Sequence, residues 1–376
     1  VPMIPPGRSR LQKYGPWFFR VALAIAVIAI IVITQLNASH RAAKIAAPGA
    51  QIVVPFTGFG GYNWSGKVTT IGAQWSVPKI ASGSDLGGAA TWIGVQNSVN
   101  NQFVQIGIDE NDFGNGPIQY QAFWSDLQVG FSPKPFGEVY PGDAISVSMS
   151  RATKGWSLRF ADLTRRLKGT AFVKMPSSVP FTQGEWIQED PTDSTNTSQD
   201  IPYPELSTVT FRDLMVNGTT PTLNLNDGQV LVSSGGTINV PTPVVNDSFS
   251  LTAPKGDARQ YLDDEQRLDA SLNQFDLELT SWKTTSVAMK STVATSLTKA
   301  LELDTEDLVS QKWPASSKSA VSQLIQSDRT QIRNLTLWSK DDYNTSGDAF
   351  DRFQHELNRN QILTDALRTT LGLPPL

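Results

Sequence analysis

The 376-residue chain contains no cysteine. That removes a thiol nucleophile, a disulfide framework and any thiolate metal site. It has two histidines, His40 and His355, far apart in segments of unrelated character. A Ser-His-Asp triad or a histidine-rich zinc site is hard to build from so few. His40 falls in a linker-like stretch and His355 in a helix-like one, and both read as solvated side chains. No phosphate-binding loop of the form GxxxxGK[ST] or GxGxxG is present. Charge is sparse: charged residues are 18% of the chain and the formal net charge is −4. The basic residues are dispersed, which argues against nucleic acid as a partner.

Long apolar runs are also scarce, with one exception. Residues 1–16 carry Arg8, Arg10 and Lys13 and no acid. Residues 17–36 then run from Trp17-Phe18-Phe19 through Val21 to Thr34 and Leu36, with Arg20 as their only charge. About 20 apolar residues suffice to cross a bilayer, Arg20 can snorkel, and Trp17 suits the interface. The expected reading is a transmembrane signal anchor at 17–36 with a cytoplasmic basic arm at 1–16. Everything after residue 36 would then lie outside the cytoplasm. A cleaved signal peptide, leaving a secreted protein, is the alternative. Residues 37–56, rich in Ala, Ser, Pro and Gly, read as a linker.

The length suggests two or more domains. From residue 57 to about 254, short alternating runs are broken by Gly, Pro, Asn and Asp. Examples are Lys67 to Ile71, Gln102 to Ile108, Ala144 to Ser148, Ser157 to Phe160, Thr208 to Phe211 and Gln229 to Val232. Regular short strands with turn signals predict an antiparallel two-sheet sandwich. The segment from Glu189 to Pro204 reads as a mobile loop. From Asp257 onward charge rises and glycine nearly disappears, which predicts an all-α bundle over 257–376. Leu268, Leu272, Phe275, Leu279 and Trp282 line one helix face. A short second helix is expected near Thr305 to Gln311, a third over Ser316 to Ser339 and a fourth over Thr345 to Leu371. Their apolar stripes read as core. No family is recognised in this bundle, and its partner is unknown.

Two segments offer chemistry. Phe103-Val104-Gln105-Ile106-Gly107-Ile108-Asp109 alternates so that Val104, Ile106 and Ile108 share one face and Gln105, Gly107 and Asp109 the other. In Gly184-Glu185-Trp186-Ile187-Gln188-Glu189-Asp190, Glu185, Ile187 and Glu189 share a face. Strands with carboxylates and an amide on one face suit the wall of a polar cleft. Asn63-Trp64-Ser65-Gly66, Ala73-Gln74-Trp75-Ser76-Val77-Pro78, Trp92-Ile93-Gly94-Val95, Gln105-Ile106-Gly107, Pro141-Gly142-Asp143 and Glu185-Trp186-Ile187-Gln188-Glu189 occur in that order. In this order and spacing they resemble the glutamic peptidases, the eqolisin family of acid proteases, over roughly residues 57–254.

The resemblance implies a lectin-like jelly-roll sandwich and a polypeptide substrate. It implies Glu189 as general base and acid, Gln105 as oxyanion donor, water as nucleophile and no cofactor. An ordinary glutamate base would work at roughly pH 3–5 unless its site shifts it. Trp92, on the same face as Gln96, would wall the cleft, and Glu185 and Asp109 would tune the dyad by like-charge coupling. The chain departs from the family pattern in the run Tyr120-Gln121-Ala122-Phe123-Trp124-Ser125-Asp126. Phe123 keeps its aromatic place, but Ser125 stands where a carboxylate is expected. Asp126 falls on the other face unless a bulge shifts it. Gln96 likewise replaces an acid or amide position. These departures keep a second reading open, a non-catalytic glycan- or peptide-binding sandwich displayed on the cell surface. A third is a structural surface protein whose helical bundle makes the contacts.

Overall fold

A computed structural model describes residues 58–375, apart from 84–86, 98–101, 113, 115, 127–132, 176–179, 192–202, 234–236, 280–286 and 341–342. The expected arm, anchor and linker of residues 1–56, and most of the loop after Glu189, lie outside the described residues. Among the described residues no helix is long and apolar enough to cross a membrane. The described chain separates into two compact units, one ending at Thr252 and the other beginning at Ala253.

The first unit holds fifteen strands. They are β1 (Phe59–Ser65), β2 (Thr70–Ser76), β3 (Gly87–Asn97), β4 (Gln102–Asp112), β5 (Gln119–Asp126), β6 (Lys134–Glu138), β7 (Ala144–Ala152) and β8 (Gly155–Asp162). There follow β9 (Lys168–Lys174), β10 (Gln183–Glu189), β11 (Val209–Val216), β12 (Gly228–Gln229), β13 (Leu231–Val232), β14 (Ile238–Pro241) and β15 (Phe249–Thr252). One sheet has the order β12-β1-β10-β3-β4-β5-β6 and the other β13-β14-β15-β11-β2-β7-β8-β9. All pairings are antiparallel, so the expected two-sheet sandwich is the observed architecture. The run expected at Lys67 to Ile71 begins only at Thr70 and continues to Ser76.

The core lies between the sheets, where period-two alternation sends one face of each strand inward. Tyr62, Ile93, Ile106 and Trp186 from the first sheet meet Ile71, Trp75, Val147 and Phe211 from the second, all buried. Without disulfides, aromatic packing holds the layers. Trp75 and Phe211 lie 5.3 Å apart, and Phe211 stacks on Phe249 at 5.0 Å. The Trp186 indole donates to the Gly72 carbonyl at 3.0 Å, tying β10 to β2. The central strand β3 is buried at every position, because its outward face is also covered. That covered outward face forms the candidate site.

The second unit contains α1 (Gly256–Leu279), α2 (Val287–Ser310), α3 (Lys318–Lys340) and α4 (Tyr343–Thr370). Contacts between the helices show an up-and-down arrangement. Lys290 sits over Trp338, whereas the far end of α2 ties to α1 through the Asp307–Arg267 ion pair. Ser317 meets Thr370, Asp328 meets Asn360 and Trp338 meets Phe350. Glu265 pairs with Arg368 while Phe275 packs on Phe353. Leu268, Leu272 and Phe275 face the core as the spacing predicts; Trp282 lies outside the described residues.

The second helix corrects the sequence reading. It starts at Val287, not near Thr305. Its first half is rich in Ser and Thr, which are weak helix formers. Two of these hydroxyls bond back to the preceding turn, Thr292 to the Ala288 carbonyl and Thr295 to that of Ser291. Burial of Val293, Ala294, Leu297 and Leu301 then overrides the local preference.

Candidate active site

The site is built on the outward face of β1, β10, β3, β4 and β5. Register determines who shares it. Gln105 pairs with Gly94 on one side and Ser125 on the other; Gly94 pairs with Glu185. Asp109 pairs with Ala90, which pairs with Glu189. Trp92 stands between Gly107 and Ile187, Gln96 opposite Phe103, and Phe123 opposite Gly107. Gln105, Glu189, Trp92, Gln96, Asp109, Glu185, Phe123 and Ser125 therefore all lie on one face of one sheet. Glu185 stands level with Gln105, whereas Glu189 stands level with Asp109, four residues further along β10. The pairing of β4 with β5 runs without a shift from Val104↔Asp126 to Asn111↔Gln119. No bulge turns Asp126 outward, and Ser125 is the residue beside Gln105.

Trp92 lies at the centre of this face. Two glycines from the sequence motifs make its place. A Cβ on Gly107 would lie 2.2 Å from the Thr91 carbonyl oxygen and 2.5 Å from the Trp92 Cβ. One on Gly94 would meet the rings of Trp92 at 2.8 Å and Phe103 at 2.9 Å. Phe103 and Phe59 hold the indole edge-on at 5.4 and 6.4 Å. So fixed, the Trp92 Nε1–H donates to Glu189 Oε2 at 2.8 Å. The Gln105 amide Nε2 donates to the Ser125 hydroxyl at 2.8 Å. Glu189 Oε1 and Gln105 Oε1, both buried, have no hydrogen-bond partner among the described residues. Glu189 is 1% exposed and Gln105 4%.

Burial dominates the electrostatics. It pushes the Glu189 carboxyl up to about 8; the Trp92 N–H opposes the shift, while Asp109, then Asp190, then Glu185 add to it. Burial carries Glu185 to about 8. The shift is upward from the range of an ordinary glutamate, because burial removes the water that would solvate the charge. Behind the sheet, Glu110 points to the inner side between Ala89 and Tyr120. Burial raises it well above the usual range.

Sequence reasoning omitted Phe59, Phe103 and Glu110. The alternation that set Gln105 outward also sets Phe103 outward, so that residue was within reach of the argument. Phe59 enters only through the pairing Phe59↔Glu189, a contact between segments about 130 positions apart that no local pattern reveals.

Chemically, the face presents a buried carboxyl and a buried amide, each with one oxygen that has no partner among the described residues, and aromatic walls. Solved structures of scytalido-glutamic peptidase with a transition-state-analogue inhibitor are similar at 21% identity and TM-score 0.43, covering 52% of this chain and 98% of theirs. SCP-B, an eqolisin in complex with the tripeptide Ala-Ile-His, is similar at 21% identity and TM-score 0.42, with the same coverage. Comparison with curated proteins found no match. The model of the Peptidase A4 family matches residues 57–252, the whole of the sandwich and more than half of the chain. The chain belongs to the Peptidase A4 family, the glutamic-type peptidases.

Proposed function

We propose that the sandwich is an endopeptidase acting on unfolded polypeptide through Glu189 and Gln105, held outside the cytoplasm by an anchor at residues 17–36. The observation that carries the site is the shared face. Glu189 and Gln105 are both buried there, each keeps an unpartnered oxygen, and each is oriented by one neighbour, Trp92 and Ser125. Ionised Glu189 takes a proton from water as the water oxygen bonds to the scissile carbonyl carbon. The uncommitted Gln105 N–H donates to the oxyanion that forms. Glu189 then returns its proton to the amide nitrogen as the C–N bond breaks, giving a carboxylic acid and an amine. The aromatic residues Trp92, Phe59, Phe103 and Phe123 offer the apolar walls that a substrate chain packs against.

Steady-state cleavage of denatured casein tests the assignment. Glu189→Gln keeps the shape and removes the base, so turnover disappears while the circular dichroism spectrum stays that of wild type. Gln105→Ala lowers kcat by about a hundredfold, the scale of losing one oxyanion donor. Cleavage by Glu189→Gln at the wild-type rate removes that pair as the active site and moves the base to Glu185, which stands level with Gln105 across Gly94. A folded wild type that cleaves nothing at any pH favours the binding module.

A further inference from the structure

Resting on that reading, we propose that Ser125 is the positioning residue for Gln105, a neutral hydroxyl that sets the orientation of the oxyanion-donating amide. The two residues are directly opposed on β4 and β5, on the cleft face, in a pairing that is unshifted along its length. Ser125 is 1% exposed, and its hydroxyl accepts from Gln105 Nε2 at 2.8 Å. The residues directly opposite Gln105 are Ser125 on β5 and Gly94 on β3, with Phe123, Trp92 and Gln96 at the diagonal positions. Of the two directly opposite, Gly94 has no side chain. Ser125 is therefore the polar side chain paired directly with Gln105 across the strands.

The hydrogen-bond inventory says what this contact does. A primary amide has two N–H donors and one acceptor oxygen. Ser125 takes one N–H. That leaves one N–H and the unpartnered Oε1 on the cleft side, a donor and an acceptor side by side on one rigid plane. The N–H suits a developing oxyanion and the Oε1 suits a proton of the attacking water. Loss of the hydroxyl frees the amide to turn about its last bond, so the donor is no longer preorganised. Preorganisation is felt mainly in the transition state, so kcat falls more than KM rises.

The neutrality of the hydroxyl has its own consequence. A carboxyl group at this place would titrate, and its grip on the amide would change with pH. A serine does not titrate in the working range, so the orientation of Gln105 is the same in acid and at neutral pH. The ionisable groups that act on the site are then Glu189 and Glu185 on β10, Asp190 just after it, and Asp109 on β4. Ser125→Asp adds a further ionisation next to the oxyanion donor.

Two measurements test the proposal in the intact chain. In wild type, the side-chain NH2 of Gln105, assigned in ¹H–¹⁵N spectra by its loss in Gln105→Ala, shows two separate proton signals, one of them slow to exchange. Ser125→Ala moves the signal of the bonded proton and speeds its exchange with water, and Ser125→Thr, which keeps the hydroxyl, restores both. In parallel, Ser125→Ala lowers kcat about tenfold, the scale of one lost neutral hydrogen bond, with KM nearly unchanged. Ser125→Thr recovers it, and Ser125→Asp adds a second limb to the pH profile. Unchanged amide signals in Ser125→Ala, or an unchanged kcat beside an active wild type, overturn the proposal. If wild type itself is inactive at every pH, the peptidase assignment of Glu189 and Gln105 fails, and the amide signals still decide whether Ser125 holds Gln105.

Discussion

At the residue scale, the proposed chemistry turns on how a glutamate is kept away from water. Glu189 keeps one hydrogen bond, from Trp92, and faces the carboxylates of Asp109, Asp190 and Glu185. Its folded pKa is raised to about 8, so the base form is scarce in acid and grows as pH climbs. If base catalysis comes first, kcat/KM rises about tenfold per pH unit through the acidic range and levels off near 8. The neighbours move this limb in opposite directions. Asp109→Asn removes the carboxylate with the largest raising effect, so the limb moves down; Glu185→Gln moves it the same way by less. Trp92→Phe removes the donor that favours the ionised form, so the limb moves up. A limb that stays in place in all three variants means that a different group titrates. An optimum in strong acid, by contrast, means that Glu189 enters the cycle as an acid.

At the scale of elements, the two units use buried polarity differently. In the sandwich it is gathered on one outward face. In the bundle it runs through the core. Asp328 on α3 is fully buried and accepts from Asn360 on α4 at 2.7 Å. It also faces Asp304 on α2 and Glu356 on α4, and Asp304 in turn faces Asp264 and Glu265 on α1 and Asp307 on α2. Burial raises both aspartates above their usual 3.8; Asp304 raises Asp328 further. A folded pKa above the unfolded one contributes stability that is complete below the unfolded value and lost as pH rises through the folded value. The helical signal therefore melts at its highest temperature in acid and at progressively lower temperature toward alkaline pH. Asp328→Asn flattens this dependence, because the replacement amide has no proton to lose. Melting curves of the intact chain at 222 nm from pH 4 to 9 check it, and a melting temperature that rises over that range sinks the argument.

At the scale of the whole molecule, the chain joins a peptidase sandwich to a helical bundle behind an apolar N-terminal stretch. The basic residues Arg8, Arg10 and Lys13 before that stretch and the absence of acids there set the expected orientation. In intact cells, protease added outside digests sites after residue 40 and leaves an epitope at residues 1–16 untouched. Loss of the N-terminal epitope under the same treatment reverses the topology.

Much of the sandwich and its site was legible in the amino-acid order. Alternation is a local property, so one strand suffices to set Gln105 opposite Val104, Ile106 and Ile108, or Glu189 beside Ile187. The motifs around Trp92, Gln105 and Glu189 carried the family, and the helix stripes at Leu268, Leu272 and Phe275 carried the core of α1. Tertiary structure alone decided what depends on neighbours distant in sequence. Register brought Ser125 to Gln105 and Phe59 to Glu189. Packing in the bundle extended α2 back to Val287 against its own composition. Burial moved Glu189 away from the range of a free glutamate, because a pKa depends on the surrounding dielectric and charge, which come from other strands.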